Sequence, residues 1–127
     1  LIWSKLAVNA AINPLTALLE VRNGQLLDQE ATRALMQSAA KEVGRLADVL
    51  GIHLATDDPA AFAFKVAERT SDNVSSMLQD IQRGAPTEID AICGAIVRIA
   101  RQHDVDTPIN WGLWNLVRAK VLLGDGE

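Results

Sequence analysis

The first two dozen residues constrain this chain most. Leu1, Ile2, Trp3, Leu6, Ala7, Val8, Ala10, Ala11, Ile12, Leu15, Leu18 and Leu19 make an apolar run that only Lys5, Asn9, Asn13 and Asn23 interrupt. At about 100° per residue, Lys5, Asn9 and Asn13 fall within roughly 80° of one another on one face of a helix. A helix apolar over most of its circumference is buried. Its polar stripe then needs partners other than open water. One ammonium and a row of amides in an apolar wall suit a small polar, anionic ligand, which makes the stripe a candidate site.

The remainder also reads as helix, with no strand alternation, internal repeat, heptad or low-complexity segment. The first helix spans about Ile2 to Val21. Pro14 lacks a backbone N–H and crowds the preceding turn, so it predicts a kink; Asn13-Pro14 also fits a cap and first-turn proline restarting a second helix. Asn23-Gly24 predicts a turn. Asp28 to Leu50 reads as an amphipathic surface helix with Asp28 as N-cap, Gly51 beyond its end and Ala31, Leu35, Ala39, Val43, Leu46 and Leu50 inward. Asp57 or Asp58 with Pro59 opens a third helix to about Thr70. Ser71 to Ser75 reads as loop, and Ser76 to Gln82 as a short helix. Thr87-Glu88-Ile89-Asp90 matches a capping box. Glu88 to Gln102, apolar nearly all round, reads as the central helix. Thr107-Pro108 starts a last helix to about Leu122, and Gly124 to Glu127 reads as a frayed tail.

One domain is expected from 127 residues, with an aliphatic core because Tyr is absent and only three Trp and two Phe occur. The net charge of -4 argues against nonspecific binding to nucleic acid or anionic membranes. No uninterrupted apolar run approaches the ~18 residues that span a bilayer. The lone Cys93 excludes an internal disulfide, and with no secretory signal the expected compartment is a reduced cytoplasm. The chain opens at Leu1 directly in a helical pattern and is expected to be part of something longer. His53 and His103 stand about fifty residues apart with no Cys at ligand spacing, so no metal site is expected. No glycine-rich phosphate loop occurs.

Taken singly, the polar residues have ordinary readings. Lys5 fits a lysine snorkelling from the end of a buried helix as well as a site. Asn9 and Asn13 fit an interhelical amide and a cap; Asn23 fits a turn, Ser76 a helix cap, and Glu88 an acid favoured by a helix dipole. Buried amides cost ~1–3 kcal/mol each when unpaired, so two in register with a lysine favour a site.

Taken together, three segments resemble one family. Lys5-Leu6-Ala7-Val8-Asn9-Ala10-Ala11-Ile12-Asn13-Pro14-Leu15-Thr16-Ala17-Leu18 is similar to the opening of the C-terminal domain of ketopantoate reductases. Ser75-Ser76-Met77-Leu78-Gln79-Asp80-Ile81, with Gly84 and Thr87-Glu88-Ile89-Asp90, resembles a second segment of that domain. Thr107-Pro108-Ile109-Asn110 resembles the start of its last helix. The resemblance implies an all-α bundle like the C-terminal domain of 6-phosphogluconate dehydrogenase. It implies reduction of 2-dehydropantoate (ketopantoate) to pantoate by NADPH, on the way to pantothenate and coenzyme A. By position, Lys5 is implied to be the catalytic acid, and Asn9, Asn13, Asn23 and Ser76 the substrate's hydrogen-bond partners. Glu88 is implied to contact the cofactor's nicotinamide ribose beside Lys5 and keep that lysine protonated.

The same resemblance implies a partner, an N-terminal Rossmann domain holding NADPH, whose G-x-G-x-x-G turn is not in this sequence. The 127 residues alone are therefore expected to be inactive. Ala85 stands where many relatives carry a basic residue, which opens an alternative: a reductase of another 2-oxo acid. A stand-alone helical interaction module is the other alternative. Self-association through exposed apolar surface is expected, with Leu1-Ile2-Trp3 as one candidate.

Overall fold

The structure is a computed structural model that describes residues 2–125, the Asp125 side chain excepted. It contains six α-helices, α1 (Trp3–Leu19), α2 (Glu30–Val49), α3 (Pro59–Arg69), α4 (Ser76–Arg83), α5 (Ala95–Gln102) and α6 (Pro108–Asp125). A 3-10 segment (Asn23–Asp28) precedes α2, and a π-turn (Asp90–Gly94) runs directly into α5. No strand occurs among the described residues, so the expected all-α class holds. None of their helices is long and apolar enough to cross a membrane.

The central helix is α1, not the segment from Glu88 to Gln102. It packs against α2, α3, α4 and α6. Ala7, Ala10, Ala11 and Ala17 are almost fully buried and let these neighbours approach closely, while Leu6, Val8, Ile12 and Leu15 fill the space between them. Each such aliphatic side chain contributes about 1.5–3 kcal/mol on burial. Pro14 is buried inside α1, and helical backbone continues through it. A proline removes one hydrogen bond; packing on four sides holds the helix together, and the restart at Asn13-Pro14 is not realised.

The polar group buried in α1 is satisfied locally. Thr16 is fully buried, and its hydroxyl lies 3.1 Å from the Ile12 carbonyl oxygen and 2.6 Å from the Ser75 hydroxyl. Ser75 Oγ in turn accepts the Leu78 N–H at 3.1 Å, so Ser75 rather than Ser76 caps α4. The loop before α4 is thereby fastened to the middle of the domain.

Several expected boundaries move for identifiable reasons. Asn23-Gly24 opens the 3-10 segment instead of a simple turn, and Asp28 ends that segment, so Gln29 occupies the N-cap position of α2. The buried face of α2 is Thr32, Met36, Ala39, Ala40, Val43, Leu46 and Ala47; Ala31 and Leu35 are on the exposed side. Gly51 takes the expected left-handed conformation (φ 71°), with its N–H donating to Asp48 and the Ile52 N–H to Ala47. Asp58 caps α3 by accepting the Ala61 N–H at 3.0 Å. The capping box at Thr87–Asp90 does not form: Thr87 Oγ1 is 3.4 Å from the Ile89 nitrogen, and the Asp90 carboxylate is engaged elsewhere. Helix α6 extends through Gly124 to Asp125, beyond the expected Leu122. Leu1, Gly126 and Glu127 lie outside the described residues.

Candidate functional site

Helical periodicity alone places Lys5, Asn9 and Asn13 along one strip of α1, about 12 Å from end to end at 1.5 Å per residue. The strip is more open than expected. Lys5 is exposed and Asn9 and Asn13 are half-buried, and among the described residues none of the three side chains makes a hydrogen bond or ion pair. The reason is geometric: the neighbours of α1 cover its other faces and leave this one to water.

At the Asn13 end, other candidates gather. The Asn13 carbonyl accepts the Thr16 hydroxyl at 3.0 Å, and Thr16 touches Ser75, so the adjacent, exposed Ser76 stands at the first turn of α4 beside this end of the strip. Asn23 reaches the same loop from the other side. Its backbone N–H donates to the Asn73 carbonyl at 3.0 Å, and its Nδ2 donates to Thr70 Oγ1 at 3.0 Å. Asn23 is 8 % exposed, and its Oδ1 is buried with no partner among the described residues. Asn73 is thereby set next to Asn23 with its side chain exposed. Nothing in the sequence distinguishes Asn73 from the other polar residues of its loop; its pairing with Asn23 singles it out.

Glu88 occupies the turn before the π-turn, which packs against α1 and α6. Its carbonyl accepts the N–H groups of Ala91 and Ile92, both at 3.0 Å, while its carboxylate is exposed. Lys5 and Glu88 form no ion pair; the side-chain ion pairs among the described residues are Arg83 with Asp80 and Lys120 with Glu20. Both charges remain free for outside groups.

A second polar cluster had no signal in the sequence beyond one acid among apolar neighbours. Glu42 is 2 % exposed. Its carboxylate accepts the Ile109 N–H at 2.9 Å, the Asn110 N–H at 2.9 Å and Asn110 Nδ2 at 2.8 Å. An anion on the free N–H groups at the start of α6 is where the helix dipole favours it. Helix α6 begins at Pro108 as expected, but a residue from α2 supplies the cap. Nearby, burial first and the Glu42 carboxylate second push the Cys93 thiol up to about 12, so it stays protonated and inert.

These features define a helical domain whose central helix carries an open polar strip. Residues 1–121 match the family described as "Ketopantoate reductase PanE/ApbA C terminal", and the chain belongs to that family. It is 41 % identical over 125 residues to a 2-dehydropantoate 2-reductase of Pyrococcus horikoshii, covering 98 % of this chain and 41 % of that protein. Among solved structures, a PanE/ApbA family ketopantoate reductase from Ralstonia eutropha superposes with a TM-score of 0.90 at 33 % identity, covering 97 % of this chain and 41 % of that one. A D-mandelate dehydrogenase in ternary complex with NADH and anilino(oxo)acetate gives the same TM-score at 29 % identity, with the same coverage. The chain thus spans about two-fifths of the length of the relatives it matches.

Proposed function

We propose that this chain is the substrate-side, C-terminal domain of an NADPH-dependent 2-dehydropantoate 2-reductase. The observation that carries the reading is the strip on α1: an exposed, unpaired ammonium in register with two half-buried, unpaired amides. In this reading Lys5 protonates the nascent alkoxide, and its charge stabilises the oxyanion as it develops. Asn9, Asn13, Asn23 and Ser76 bind the substrate's carboxylate, carbonyl and hydroxyl oxygens, since amides and hydroxyls both donate and accept. Asn23 enters this set by its position in the resemblance, its amide held by Thr70 beside the loop that leads to Ser76.

The residues present also fit a nicotinamide cofactor. The exposed carboxylate of Glu88 has no partner among the described residues and suits the hydroxyls of a ribose. When bound, NADPH supplies the hydride. The rest of its binding falls to the N-terminal Rossmann domain implied as partner, and these 127 residues alone are expected to be inactive. The cytoplasm is the compartment this reading expects. The expected self-association also belongs here, since Ile2, Trp111, Leu116, Leu122 and Leu123 are large exposed apolar side chains.

A second reading, reduction of a different 2-oxo acid, draws on the equal structural likeness to the D-mandelate dehydrogenase. The test is ketopantoate-dependent NADPH oxidation by the longest reading frame containing this segment, beside the same protein with Lys5→Ala. Turnover that collapses in the variant supports the proposal. A folded, NADPH-binding protein without turnover on ketopantoate, but with turnover on smaller 2-oxo acids, favours the second reading. Turnover that survives Lys5→Ala removes Lys5 as the acid.

A further inference from the structure

The π-turn ahead of α5 is held from outside. A π-turn carries one residue more than the α-helical path and is intrinsically the poorer hydrogen-bonding arrangement, so it persists where other contacts fix it. Here the Gly94 N–H donates to the Ile89 carbonyl, five residues back, at 3.0 Å. Asp90 is gripped at two points. Its Oδ1 accepts the Trp114 indole N–H from α6 at 2.7 Å, and its carbonyl accepts Nη2 of Arg98 from α5 at 3.0 Å. The far end of the turn lies flat on the same indole: a Cβ added at Gly94 would stand 3.0 Å from Trp114 Nε1 and Cε2 and from Arg98 Nη1. Arg98 and Arg118 approach the Trp114 ring, their guanidinium carbons 5.8 and 5.1 Å from its centroid, and steady it.

From this geometry we propose that Trp114 and Asp90 are positioning residues for Glu88. Absorbing the extra residue into a regular α-helix would rotate everything upstream by about 100° and shift it by about 1.5 Å. Glu88, two residues before Asp90, would then swing to another face. The clamp of indole, carboxylate and glycine therefore decides where the Glu88 carboxylate points, without any of these groups touching a ligand. The inference rests on the role given to Glu88 above, as a contact to the cofactor's ribose.

The experiment uses the longest reading frame containing this segment, with NADPH binding measured by calorimetry and KM for ketopantoate measured separately. Trp114→Phe keeps the ring and removes its donor. It is expected to raise the NADPH Kd by about fivefold or more, with the ketopantoate KM within twofold. Asp90→Ala should behave likewise, and Asp90→Asn, which keeps an acceptor for the indole, should lose less. If the clamp acts through Glu88, then Glu88→Gln combined with Trp114→Phe weakens NADPH no further than Glu88→Gln alone. Additive effects, an equal rise in the ketopantoate KM, or a lowered Tm with unchanged NADPH Kd would overturn the proposal. If Glu88→Gln leaves NADPH affinity intact while Lys5→Ala still abolishes turnover, the role of Glu88 fails, and this inference with it, while the reductase reading stands.

Discussion

Glu42 joins α2 to the start of α6 through buried hydrogen bonds, and the cost of its removal can be worked through. Glu42→Ala deletes three acceptor contacts, from the Ile109 N–H, the Asn110 N–H and Asn110 Nδ2. The amide keeps one bond, to the Ala39 carbonyl at 3.2 Å, but the two backbone donors cannot be mutated away and have no other acceptor among the described residues. Each orphaned buried donor costs about 1–3 kcal/mol. The favourable meeting of an anion with a helix N-terminus, worth up to ~2 kcal/mol when partly buried, is lost as well. Water entering the vacated space and relief from the desolvation of a carboxylate work in the other direction. The two orphaned backbone donors set the expected net loss at about 2–4 kcal/mol. Glu42→Gln retains an acceptor oxygen but turns an NH2 toward an N–H, and should lose roughly half as much. Urea unfolding of the 127-residue domain followed by far-UV circular dichroism measures both, with an unchanged slope showing that only stability moved. A loss below ~1 kcal/mol for Glu42→Ala would mean that desolvation cancels the three bonds, and the reasoning would be refuted.

The Cys93 thiol gives a prediction for alkaline pH. Its folded value of about 12 stands above the ordinary 9.0, so the unfolded chain releases this proton first. Stability from this group is fully present below pH 9 and is lost as pH rises toward 12, at ~1.4 kcal/mol per unit. With no Tyr in the chain, Cys93→Ser should remove that slope in denaturation curves recorded between pH 9 and 10. Gly24→Ala is expected to destabilise by ~2 kcal/mol or more, because the added Cβ would lie 1.8 Å from Ser71 Oγ. The Gly24→Ala/Ser71→Gly double variant should recover only part of this in the same unfolding assay, since Ser71 Cα would remain 2.9 Å from the new carbon. Asp58→Ala removes an exposed helix cap and should cost about 1 kcal/mol, whereas Asp58→Asn should stay close to wild type in thermal melts.

Features set by local chemistry were legible in the sequence. Asp58-Pro59 opens α3 and Gly51 closes α2 in the left-handed conformation, because cap and turn preferences depend on the residues immediately around them. The 3.6-residue period likewise brought Lys5, Asn9 and Asn13 to one strip. Contacts between distant segments were not legible. Glu42 looks like any acid on an amphipathic helix until α6 is laid against α2. Asp90 matched a capping motif, yet its carboxylate goes to an indole twenty-four residues away. Which of two apolar helices is central could not be read from apolarity alone. Glu88 to Gln102 is apolar nearly all round, but the alanines of α1 let four helices pack closely around that helix instead.

The C-terminal end of α1 is closed by a residue from the other end of the domain: Lys120 Nζ donates to the Leu18 carbonyl at 3.3 Å and to Glu20 Oε2 at 3.4 Å. Translation runs from α1 toward α6, and about 90 residues separate Leu19 from Pro108. At about 5–20 residues per second, α1 waits roughly 5–20 s on the ribosome before its last wall exists. During that interval its alanine-lined faces are open to other nascent chains. The order in which the chain is made therefore leaves α1 uncovered longest on the side that α6 closes.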